Sequence, residues 1–234
     1  MTEPTNPGDI SVVGQRRWPG GSFPGGGGKD ETTGEVPETE ELPDPLEEVT
    51  PDPCADSVLA AVWNADAVGA ESVDKFLLKA AEIGFADAPN GVPNLLNSEF
   101  GSFLIRGPGQ SMSTGPVTAG PVRDRTDPNW VSTLTIDPTG VTTANYQGDV
   151  HSHPNGNPLP SQEDWNGFMD NNRAARQQGR TSETFYMYII VADQNGGPPT
   201  IRVYQDGPRT ANSPDPARPT AEGPEVNPDA QPCP

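Results

Sequence analysis

Proline crowds the two ends of this chain, joined by glycine in the first, and that segregation decides where a core can form. There are 29 Pro and 26 Gly among 234 residues. Pro19-Gly20-Gly21 and Gly25 to Gly28 interrupt a stretch without apolar periodicity, the composition of a flexible tether. From Lys29 to Asp52 ten acids and one lysine are interspersed with prolines. Such a segment cannot bury enough apolar area to offset the entropy of ordering it. The stretch from Gly207 to Pro234 carries eight prolines and reads the same way. The expected organisation is a disordered Gly/Pro-rich acidic arm over 1–53, one folded domain over 54–206, and a disordered Pro-rich tail over 207–234.

The net charge of −19 repels nucleic acid and anionic membrane surfaces, so neither is an expected partner. No apolar run approaches the roughly 20 residues of a membrane span. Met1 to Gly28 also lacks the apolar core of a secretory signal. The expectation is a soluble chain, either cytoplasmic or exported without a cleaved signal. Cys54 and Cys233 bracket the expected domain, and neither has a second Cys or a His at zinc-ligand spacing. A disulfide tying the two ends together suits an oxidising compartment. Two free thiols suit a reducing cytosol, and the compartment rule favours the thiols.

Within 54–206, Ala55 to Ile83 has helical spacing: Val58, Ala61 and Val62, then Phe76, Leu77 and Ala80. Gly69 is a candidate break into two helices. A loop is expected from Asp87 to Asn94, then a strand over Phe100 to Arg106. The stretch from Gly107 to Pro128 reads as loop, with a short strand near Val117. Further strands are expected over Val131 to Ile136 and Asn145 to His153. Ser161 to Gln178 is the clearest helix: Ser161 suits the N-cap, acids lie at its start, and Arg173, Arg176 and Arg180 lie near its end. Thr184 to Ala192 carries the apolar run Ile189-Ile190-Val191. Asn195-Gly196 turns the chain into a last strand, Thr200 to Tyr204. Alternation of strands and helices predicts an α/β sandwich around one mixed sheet.

The only two histidines stand two apart in His151-Ser-His153-Pro154, followed by Pro160-Ser161-Gln-Glu-Asp164. Residues i and i+2 of a strand share a face, so His151 and His153 present two imidazoles side by side. Asp164 falls in the first turn of the helix, where a carboxylate can reach back toward the strand end. Two His and one Asp leave a fourth tetrahedral position for water, as catalytic zinc sites require. A general base must come from an acid outside that set. Glu82 and Glu99 are the options, and Glu99 is favoured because it stands beside a strand able to neighbour the histidine strand. Ser161 is placed to donate to an oxyanion. The bland alternatives are a histidine pair without metal and a plain capping box, Ser161-x-x-Asp164.

This pattern, with ten residues between His153 and Asp164, closely resembles the signature of the JAMM (MPN-plus, JAB-domain) zinc metalloproteases. Asn97-Ser-Glu99-Phe-Gly101-Ser-Phe-Leu-Ile105 is similar to that family's glutamate and first core strand. The resemblance spans roughly residues 95–206. It implies a curved mixed β-sheet packed between helices and Zn2+ on His151, His153 and Asp164. It further implies Glu99 as general acid/base and Ser161 as oxyanion stabiliser, and hydrolysis of peptide or isopeptide bonds in a protein or peptide substrate. A narrower likeness is to bacterial JAB-type domains of Rhs and polymorphic-toxin proteins. Two alternatives to an enzyme follow: a non-catalytic MPN-type scaffold, and a toxin- or effector-associated domain binding a protein partner.

Overall fold

The computed structural model describes residues 54–55, 57–87, 92–123 and 134–233. The expected N-terminal arm, 1–53, lies outside them. Helix α1 (Ser57–Glu82) follows from the stripe Ala65, Val68, Ser72, Phe76 and Ala80, which recurs at three- and four-residue spacing and is wholly buried. The helix runs unbroken through Gly69, against the expected division. A Cβ at Gly69 would stand 2.7 Å from the Tyr188 ring, so this glycine admits a close helix–sheet contact. Gly84, at φ +80°, ends the helix. Its N–H donates to Ala81 O and the Phe85 N–H donates to Ala80 O, at 3.1 and 2.7 Å, a Schellman arrangement.

A two-residue antiparallel pair, β1 (Ala86–Asp87) and β2 (Val92–Pro93), precedes the main sheet. That sheet has six strands: β3 (Phe100–Arg106), β4 (Met112–Thr114), β5 (Thr118–Ala119), β6 (Tyr146–His153), β7 (Phe185–Val191) and β8 (Thr200–Asp206). Its order is β4-β3-β6-β7-β8, with β5 also on β3. The β6–β7 pair is parallel and the others are antiparallel, so the sheet is mixed. Helix α2 (Gln162–Gln177) makes the crossover that a parallel pair requires. Alternation along β7 divides the core. Tyr186, Tyr188 and Ile190 join the cluster that includes α1, while Phe185, Met187 and Ile189 join the cluster that includes α2.

Further expectations need correction. Of the strand expected over Val131 to Ile136, residues 131–133 lie outside the described set and 134–136 pair with no strand. β5 already takes the edge of β3 there, through Phe100↔Ala119 and Gly101↔Thr118. Leu134 and Ile136 instead lie over Gly101, within 2.5–3.1 Å of where its Cβ would be. Another correction concerns the C-terminal tail. Residues 207–233 form a strap rather than a disordered extension. Trp165 Nε1 donates to Pro216 O and Arg218 Nη1 to Pro160 O, at 2.9 and 3.0 Å. The strap then takes the outer edge of β8: Val203 N–H donates to Pro224 O at 3.0 Å, and Val226 N–H to Ile201 O at 2.9 Å. Val226 and Ala230 enter the α1-side core. Cys233 is bonded to Cys54, with Cα atoms 5.5 Å apart, so the two cysteines are not free thiols. No helix among the described residues is long and apolar enough to cross a membrane.

Candidate metal centre

One irregularity in β6 decides which side chains share the site. The register passes from Leu104↔Gly148 to Ile105↔Tyr146, leaving Gln147 as an extra residue. This bulge resets the alternation, so Tyr146, Asp149, His151 and His153 all face α2. Gly148 carries it at φ +142°, and a Cβ there would lie 1.8 Å from Tyr186 O. Arg180 fixes the same turn, donating from Nη1 to Thr143 O at 2.9 Å and from Nη2 to Gln147 Oε1 at 2.8 Å.

Glu99 comes from the residue before β3. Gly101 pairs with His151, so Glu99, two residues earlier, falls beside His153. Ligand atoms of Glu99, His151 and His153 all lie within 4.8 Å of one another, and the three residues are buried. Asp164 approaches from the first turn of α2. Its Oδ2 lies 3.6 Å from His151 Nε2 and 3.5 Å from His153 Nε2. Donors held by one tetrahedral zinc at 2.0–2.2 Å stand about 3.3–3.6 Å apart, so Asp164 Oδ2 has the spacing of a shared ligand to each histidine nitrogen.

The outward-facing nitrogens are fastened. His151 Nδ1 lies 3.2 Å from Asp149 Oδ1, and His153 Nδ1 lies 2.7 Å from Asn157 O. That leaves both Nε2 atoms facing the site, and His151 Nε2 is buried with no hydrogen-bond partner. A buried polar atom without a hydrogen bond is costly, and a cation held between this nitrogen and Asp164 Oδ2, 3.6 Å away, would satisfy both. The loop from Pro154 to Pro160 is held from several sides. Arg123 and Gln194 donate to Pro154 O, Tyr204 OH donates to Pro158 O, and Arg218 to Pro160 O.

Charge in the cluster points the same way. Burial pulls the His151 imidazole down, but the Asp164 carboxylate and the Asp149 hydrogen bond more than reverse it and hold it well above its ordinary value. Burial pushes Asp164 up, and the charge of His151, with the hydrogen bonds of His153 and Ser161, holds it far below the carboxylate range. Burial raises Asp149. The site thus favours positive charge, which a proton or a metal ion can supply.

Four of the expected residues, Glu99, His151, His153 and Asp164, therefore converge. Ser161 stands at the exposed N-cap of α2, where its Oγ accepts the Asp164 N–H at 3.1 Å while its own N–H donates to Asp164 Oδ2 at 2.7 Å. The capping box is thus real, and Asp164 serves both the cap and the cluster. Glu82 is excluded: it sits exposed at the end of α1, paired with Lys79. Asp149 and the Asn157 carbonyl went unnoticed in the sequence, although Asp149 stands two residues before His151 and must share its face.

The fold and site define an α/β protein with a buried Glu/His/His group able to hold a metal ion. Comparisons with family models, curated proteins and solved structures find no match.

Proposed function

We propose that this chain is a zinc-dependent hydrolase of peptide or isopeptide bonds, working as JAMM-type metalloproteases do. The observation that carries the reading is the buried His151 Nε2, which makes no hydrogen bond and, like His153 Nε2, stands at ligand spacing from Asp164 Oδ2. His151, His153 and Asp164 would hold the zinc. Bound there, it would supply Lewis acidity, polarising a carbonyl and lowering the pKa of a coordinated water toward about 7. Glu99 takes the proton of the attacking water and delivers it to the amine as the C–N bond breaks, so the products are a carboxylate and an amine. The Ser161 hydroxyl donates to the carbonyl oxygen as it gains charge. The Cys54–Cys233 bridge supports work in an oxidising compartment.

The test pairs elemental analysis with a peptide-library cleavage assay. The expected result is one zinc per chain and cleavage that stops with chelator and returns with added zinc. A folded protein that takes up no metal refutes the reading and favours the non-catalytic scaffold.

A further inference from the structure

We propose that Asp149 is a positioning residue of the metal centre: its carboxylate accepts the Nδ1 proton of His151 and so aims the Nε2 lone pair at the ion. This rests on the metal reading above and deepens it.

A neutral imidazole carries one N–H and one lone pair, and an ionised carboxylate only accepts. With Asp149 Oδ1 at 3.2 Å from Nδ1, the proton belongs on Nδ1 and the lone pair on Nε2. The other tautomer would set two lone pairs against each other at Asp149 and turn an N–H toward the place of the cation. The neighbours of Asp149 make the same point. Directly opposite it in the sheet are Phe103 on β3 and Met187 on β7, so its flanks on this face are apolar. Asp149 is 6% exposed. A carboxylate placed there carries a desolvation cost that an apolar residue would avoid, and a strand alone has no need of it. Its hydrogen bond to His151 is the compensation. The two histidines are therefore unequal ligands: His153 has a backbone carbonyl behind it, whereas His151 has a carboxylate, which raises ligand basicity.

The experiment measures zinc affinity of the full chain by chelator competition for the wild type, Asp149→Asn and Asp149→Ala. The expected result is about 10–100-fold weaker zinc binding for D149A, with a smaller loss for D149N, which keeps an acceptor oxygen in place. In parallel, 15N-resolved NMR of the zinc-loaded wild type should show a slowly exchanging proton on His151 Nδ1 that D149A lacks. A merely structural acid would lower thermal stability without moving either readout. Unchanged zinc affinity in folded D149A, a D149N no better than D149A, or a His151 proton on Nε2 in the loaded wild type overturns the proposal. Should D149A fail to fold, the wild-type NMR result decides alone. Failure of the metal reading itself is separately visible, as a wild type that binds no zinc.

Discussion

Removing the Cys54–Cys233 bridge tests the course of the strap most directly. The bridge joins positions 179 apart. In the chain-entropy treatment, closing a loop of that length removes roughly 5 kcal/mol of conformational freedom from the unfolded state, a ceiling because real unfolded chains are partly structured. The folded state loses little in return. Buried Val226 and Ala230, two backbone bonds to β8, and the Arg202 pairs with Glu222 and Glu225 still hold the strap. The double variant Cys54→Ser/Cys233→Ser should therefore stay folded and lose about 3–5 kcal/mol. For a domain of this size that lowers the melting temperature by roughly 10 °C. The denaturant m-value should rise, because the unbridged chain exposes more surface on unfolding. Wild type treated with reductant should reproduce the variant. Two titratable thiols in the untreated native protein, or a stability loss below about 1 kcal/mol, would refute the reasoning.

Gly148→Ala forces a Cβ into Tyr186 O and a side chain into φ +142°, so β6 and β7 must part. Denaturant melts should show a loss of about 4 kcal/mol or more. Glu99→Gln should keep zinc within a few-fold yet cut turnover by at least about 100-fold, whereas His153→Ala or Asp164→Ala should lose the metal, read by elemental analysis. Asp206 lies buried against Arg176 and Arg209. Burial pushes its carboxyl up, but hydrogen bonds from Arg209 and Arg176 outweigh it and lower the pKa. Its stabilisation is therefore fully present above the ordinary aspartate value of about 3.9 and is lost as pH falls through the lower folded value. Asp206→Asn should cost about 3–5 kcal/mol near pH 7, with the gap to wild type closing in strong acid, as equilibrium unfolding across pH would show.

What could be read from the sequence was what local chemistry determines. Phe100–Arg106 is the expected strand residue for residue. Strand β7 lies inside the expected Thr184 to Ala192, and α2 starts at the expected cap. The pairing of His151 with His153 needs only the two-residue period of a strand, and Asp164 needs only the helix cap eight residues after the strand ends. Glu99 is different. Nothing near it signals a site, and its place beside His153 comes from the β3–β6 register, fifty residues apart in the chain. Its place beside a strand barely separated it from Glu82, and the likeness to a known signature supplied most of the preference. Asp149 was readable in principle, but its burial depends on Phe103 and Met187, which the sequence does not connect to it.

The strap marks where composition misleads. Its prolines show that residues 207–233 cannot make their own helix or ladder, which is correct, and the inference to disorder assumes that nothing else offers them partners. β8 is the last strand of the sheet, and its outer edge presents unpaired backbone groups that must be covered. A Pro-rich segment can supply that cover, because a proline still accepts through its carbonyl. Pro224 does so for the Val203 N–H, while the non-proline Val226 provides the return N–H to Ile201. Gly223 permits the approach, since a Cβ there would stand 2.3 Å from Val203 O. The same path brings Arg218 to the carbonyl of Pro160, one residue before the α2 cap that carries Asp164. A segment of low apolar content is thus ordered by an edge and a core supplied from elsewhere in the chain, and it helps to hold the loop on which the candidate metal centre depends.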